Sequence, residues 1–294
     1  MKIELGLPEQ RIYTHEELVQ RTNGEPSYQF TECIENLFHH AGYSYIDEPS
    51  LRVDDRVLIA RINGVKIGFL RMLCFPSIGD ISGLVKEYGI YKLFVYSPRE
   101  RDVSDRIKSL GPMTYGYNLF YSESRPDNLC DINWSLYDYA THAYNYVARG
   151  KILTHLYRNL SFEGFSLREV LQKKISSYDV DNRVTSPSEF LERCANSDCC
   201  VFAPGVSHTG LDRCPIMAMS VGACVIHPHI KAILPVNTLI PGVHYLACKD
   251  DFSDLDELIQ TPREIKLQIG NNAKVFFKRY LTPPTLVNYI LGQI

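Results

Sequence analysis

Residues 201–228 read VFAPGVSHTGLDRCPIMAMSVGACVIHP. Two apolar runs, Val201–Pro204 and Ala223–His227, enclose a loop rich in Gly, Ser, His and Thr. A compact helical pattern over 213–220 follows the loop and ends at Gly222. Strand, loop, helix and strand in that order make a βαβ unit, and so a parallel sheet. In an open parallel sheet, ligands sit beyond the carboxyl ends of the strands. Val201–Pro204 ends at such an edge, and Gly205–Gly210 feeds a helix N-terminus. Free N–H groups and the helix dipole favour an anion there. The glycines let the backbone come close to it. Arg213, in the first turn, adds a bidentate donor suited to phosphate.

The pattern continues outward. Upstream, Tyr144–Ala148 read as a strand, 151–160 and 166–176 as helices, and Ser188–Cys194 as a short helix opened by Pro187. Cys199–Ala203 is the apolar strand before the loop. Downstream, 253–260 and 262–280 are helical, and Pro283-Pro284 introduce a last amphipathic helix to Ile294. This half is expected to be doubly wound. The first half is mixed α/β: a helix over 28–40, a buried strand over 90–97, and two apolar runs in 57–75 around Asn63-Gly64. That dipeptide between β-rich runs is a strong hairpin signal. Residues 111–135, rich in Gly, Pro, Tyr, Asn and Ser, read as a linker region.

The chain has 294 residues, room for one large domain or two of about 140 each. Its net charge of −3 gives no global basic field for nucleic acid. The absence of a signal-like apolar core and of any membrane-length apolar run leads to an expected cytoplasmic setting. The nine cysteines show no repeated spacing and are expected to be reduced core residues.

Three phosphate-binding readings compete for the opening loop. Gly205 to Gly210 has Walker spacing, but Leu211-Asp212 replace the required Lys-Ser/Thr. The dinucleotide pattern G-x-G-x-x-G is absent. A sugar nucleotide gripped by its diphosphate fits, and so does a plain strand-to-helix turn.

Three stretches carry a resemblance: Tyr146-Val-Ala-Arg149-Gly150, Gly205–Ile226, and Ile240-Pro-Gly-Val-His244-Tyr245-Leu followed by Asp250-Asp-Phe-Ser253-Asp254-Leu255. In order and spacing they resemble the donor-binding domain of GT-B glycosyltransferases. The protein O-glucosyltransferase (KTEL, lipopolysaccharide-modifying) and exostosin-type families are the nearest in pattern. The likeness covers about residues 144–291. It implies two Rossmann-like lobes facing across a cleft: an acceptor domain over 1–140, a donor domain over 141–280, and a terminal helix, 281–294, crossing back to the first lobe. It implies transfer of a sugar from a UDP-sugar to a hydroxyl of a glycan or glycoconjugate, with neither metal nor cofactor. Arg149, Lys151 and Arg213 would then face the diphosphate beside Gly150, Gly205 and Gly210. Ser207, His208 and Thr209 would donate to phosphate oxygens or line the sugar pocket, and His244 and Tyr245 would touch base or sugar. The chain departs from the pattern at Met217, where many retaining GT-B enzymes carry a ribose-binding Glu.

An inverting transferase needs a base for the acceptor hydroxyl. Asp80, after an apolar strand and between glycines, is the candidate, with Asp47, Asp54 and Asp55 as rivals. A metal-dependent transferase would need paired carboxylates. Asp179-Val-Asp181 has the letters but reads as a polar loop, and Asp254-Leu-Asp256 lies in a helical pattern with its leucines inward. His227 and His229 lack a cysteine pair with zinc spacing. A non-catalytic module that binds a sugar nucleotide or glycan is the other reading.

Overall fold

The computed structural model describes residues 1–7, 27–53, 57–71, 81–96, 103–111, 134–155, 166–183, 186–204, 211 and 213–294. Asp54, Asp55, Asp80 and most of the 111–135 stretch lie outside the described residues. The chain divides into two compact units. Unit 1 comprises Met1–Trp134, Ile233–Val236 and Pro283–Ile294; unit 2 comprises Ser135–Ala232 and Asn237–Thr282.

Unit 1 is built on β1 (Ile3–Leu5), β2 (Ile46–Asp47), β3 (Val57–Ile62), β4 (Val65–Arg71), β5 (Lys92–Tyr96) and β6 (Ile107–Gly111). They form a six-stranded sheet in the order β2-β1-β3-β4-β5-β6. Neighbours β1/β2, β4/β5 and β5/β6 are parallel; β1/β3 and β3/β4 are antiparallel. The β3–β4 turn is Asn63-Gly64, at φ 48° and 87°. Positive φ at both central residues makes the tight hairpin that the dipeptide predicts. Side chains of β3 and β5 alternate between two apolar faces. Val57, Ile59, Leu93 and Val95 pack with Leu84 and Val85 of α2 (Ser82–Glu87). On the other face a file of rings joins Phe38, Phe69, Phe94 and Tyr289 at centroid distances of 6.2, 5.7 and 6.4 Å. It ties α1 (Ser27–His40) and α9 (Pro283–Gly292) to the sheet.

Unit 2 is built on β7 (Ile152–Leu153), β8 (Val180–Asp181), β9 (Cys200–Val201), β10 (Val225–Pro228) and β11 (Leu246–Cys248). All neighbours are parallel, in the order β11-β10-β9-β7-β8. The helices are α3 (Trp134–Ala143), α4 (Ser166–Ile175), α5 (Pro187–Ala195), α6 (Arg213–Ser220), α7 (Leu255–Ile259) and α8 (Arg263–Tyr280). Leu171 and Ile175 of α4 and Leu255 and Ile259 of α7 cover the face that carries Ile152, Val201 and Ile226. On the opposite face α6 packs between α5 and α8. The sheet is therefore covered on both faces, the doubly wound arrangement that buried parallel strands require. Among the described residues no helix is long and apolar enough to cross a membrane.

Two expected elements differ. Tyr144–Ala148 is not a strand, because Ala148 and Gly150, at φ 48° and 94°, break an extended backbone. The first strand of this sheet is Ile152–Leu153 instead, within the stretch expected to begin a helix. An apolar pair too short to show a period fits either element. Val180–Asp181, expected as a polar loop, is the edge strand, whose outer side needs no apolar cover.

Candidate functional site

In unit 2 the chain runs from β7 outward to β8, then crosses back to β9 on the other side of β7. The connections therefore leave β7 and β9 in opposite directions. Such a switch point opens a crevice beyond the carboxyl ends of the two strands. Thr154 and His155 follow β7 there, and Phe202, Ala203 and Pro204 follow β9. Phe202 still donates its N–H to Ile226 O at 3.1 Å, so the ladder holds this edge in register. The His155 ring meets Phe190 of α5 edge-on at 5.9 Å, and Phe190 packs on Phe202 at 6.4 Å.

Gly205, Ser207, His208, Thr209 and Gly210 lie outside the described residues. Their two ends do not: the loop leaves β9 after Pro204 and reaches α6 through Leu211, which is fully buried. Arg213 opens α6, though its side chain lies outside what is described. The place of this arginine is thus the first turn of a helix whose amino end faces the carboxyl edge. Met217, standing where the resembled enzymes carry a ribose-binding Glu, is fully buried in α6.

The other sequence candidates stand at the opposite end of the strands. Arg149, Gly150 and Lys151 immediately precede β7, on the amino edge. Arg149 donates its N–H to Ser197 O at 3.1 Å, and Lys151 O accepts from Asp198 N–H at 3.0 Å. Lys151 Nζ pairs with Asp179 at 2.7 Å. A Cβ on Gly150 would lie 2.9 Å from Asn196 O, and its φ of 94° suits glycine alone. The Arg-Gly pair is a tight turn that starts the strand.

His244 and Tyr245 precede β11, also on the amino edge. His244 Nδ1 accepts from Ile240 N–H at 2.9 Å, its ring packs on Phe276 at 4.9 Å, and burial pushes its pKa below the ordinary value. Tyr245 is fully buried, and its hydroxyl oxygen accepts from Ile230 N–H at 3.1 Å. Both side chains hold the chain between β10 and β11. Another amino-edge cation is engaged, as Lys151 is: buried Lys266 donates to Asp198 Oδ2 at 2.6 Å and to Ile259 O at 2.7 Å.

The described candidate carboxylates are similarly committed. Asp181 Oδ1 accepts from Arg183 Nε at 3.0 Å and Oδ2 from Arg193 Nε at 2.7 Å. Burial, the largest single influence, acts to raise its pKa. The hydrogen bonds from the two arginines overcome burial and hold the carboxyl far below the usual range. Asp256 accepts from the Tyr178 hydroxyl, and Asp254 from Lys249 N–H at 2.9 Å. Asp47 in unit 1 pairs with Arg52 at 2.7 Å. His227 is buried with Nδ1 2.7 Å from Pro228 O, whereas His229 is exposed, so the two do not converge. Among the described residues no three His, Cys, Asp or Glu side chains gather as metal ligands. The seven described cysteines are free thiols.

Sequence reasoning missed Thr154 and His155. An apolar pair followed by Thr-His carries no motif; the strand order alone marks the place. The chain matches no known protein-family model and no curated protein sequence.

Proposed function

We propose that unit 2 binds a nucleotide sugar and that the chain is a GT-B glycosyltransferase, with unit 2 as its donor lobe. In this reading it moves a sugar from a UDP-sugar to a hydroxyl of a glycan or glycoconjugate, without a metal and with inversion. One observation carries the reading: Phe202–Pro204 follow β9 beside the switch point, and Arg213 opens α6. A helix N-terminus and a guanidinium together favour a phosphoryl group. The same groups would stabilise the charge that grows on the departing diphosphate. Asp80 is the proposed base for the acceptor hydroxyl. The commitment of Asp181, Asp254 and Asp256 to other partners disfavours Asp179-Val-Asp181 and Asp254-Leu-Asp256 as paired-carboxylate sites. Buried Met217 favours one second reading, a module that holds the sugar nucleotide without turning it over.

Thermal unfolding against UDP, GDP, CMP, ADP and NAD, each with EDTA or manganese, tests the proposal. A native-state ligand raises the melting temperature by mass action. The expected result is a rise with UDP, unchanged by EDTA and lost in Arg213→Ala. A rise only with NAD, or only with manganese, would refute it. Turnover of UDP-sugar that Asp80→Asn abolishes while UDP still binds separates the enzyme from the binding module.

A further inference from the structure

Thr154 is 1% exposed, and its Oγ1 has no hydrogen-bond partner among the described residues. Its backbone N–H is already donated to Asp181 O at 3.1 Å. Buried hydroxyls without a partner are few in folded proteins, and each one calls for a reason. This one stands at the switch point, directly after β7. Strand alternation puts Thr154 on the face of Ile152, which packs against α4. Because β7 and β8 are parallel, α4 runs back between them, and its amino end returns to the carboxyl edge. The first N–H groups of a helix have no partner within it. An orphan hydroxyl and a helix amino end thus meet one edge on the α4 face, while the start of α6 meets it on the other.

We infer that Thr154 is a ligand-binding residue, whose hydroxyl donates to a phosphoryl oxygen of a diphosphate held at the β7–β9 switch point. Donors on both faces of the sheet suit a group with two linked phosphoryls. The inference rests on reading this edge as a phosphoryl site, and not on sugar transfer.

The test compares the wild type with Thr154→Val, which keeps the shape and removes the hydroxyl, and with Thr154→Ser, which keeps the donor. Calorimetry gives affinities for inorganic pyrophosphate and for UDP, and thermal unfolding gives the stability of the free proteins. The expected result is that T154V melts no lower than wild type when free, yet binds both ligands about tenfold more weakly. T154S recovers most of the affinity. A free T154V that melts well below wild type overturns the inference, because the hydroxyl would then have an internal partner. Equal affinities of T154V and wild type overturn it and leave the wider reading standing. Wild-type binding of pyrophosphate but not UDP, weakened in T154V, upholds Thr154 and overturns the nucleotide reading. No binding of either ligand by wild type overturns both.

Discussion

Asp181 joins the edge strand, through one carboxylate, to Arg183 just beyond it and to Arg193 on α5. Hydrogen bonds to a charged group contribute about 1.5–3 kcal/mol each. Asp181→Asn is expected to cost about 2 kcal/mol at neutral pH in urea unfolding, allowing for the partial solvation of this site. The folded carboxyl titrates below the unfolded one, so its contribution is present above the unfolded value of about 4 and lost as pH falls below it. Acid unfolding of the variant should accordingly show a shallower fall in that range. His244 follows the same sign. Burial lowers its folded pKa, so the neutral ring that accepts from Ile240 N–H stabilises the turn above pH ~6.5 and fails as pH drops. An NMR titration of its ring should give a midpoint below that of a free histidine. Neither role was legible beforehand. The sequence shows Asp-Val-Asp and Val-His-Tyr, letters that also belong to metal and donor sites. Only the partners distinguish them.

Among the elements, α8 lies closest to its neighbour at two glycines. A Cβ at Gly270 would lie 1.9 Å from Gly222 O, a backbone atom that cannot swing aside. In an exposed helix, Gly→Ala gains about 1 kcal/mol. Here overpacking, at about 1–3 kcal/mol and more against backbone, outweighs that gain. Gly270→Ala should therefore destabilise unit 2 by about 2 kcal/mol in urea unfolding. Gly222, at φ 83°, was legible as the stop of α6, but its contact with α8 was not, because it joins distant parts of the chain. Elements with a strong local signature were readable: the Asn63-Gly64 hairpin, the Pro187 start of α5, and the long periodic α8. Ser186 completes that α5 start, its hydroxyl accepting from Glu189 N–H at 3.3 Å. Of the two-residue strands in unit 2, β9 lay inside a longer apolar run and was readable, whereas β7 and β8 were not, since a pair of residues has no period and is placed by its neighbours in the sheet.

Across the whole molecule, the alternation of strand and helix marked the second half as a parallel α/β fold, and the five parallel strands of unit 2 agree. Strand order was hidden, because it depends on which way each connection turns. That order divides the described sequence candidates between two edges: Arg213, at the start of α6, on the carboxyl edge, and Arg149, Gly150, Lys151, His244 and Tyr245 on the amino edge. Of the amino-edge side chains, Lys151 pairs with Asp179, Lys266 with Asp198, and His244 and Tyr245 accept from backbone N–H groups. The central claim is that ligand binds at the carboxyl edge. Amide hydrogen exchange with and without UDP tests it most directly, since protection reports local opening. The expected result is slowed exchange over 153–155 and 202–213, with 149–151 and 241–245 unchanged. Protection confined to 149–151 and 241–245 would contradict it.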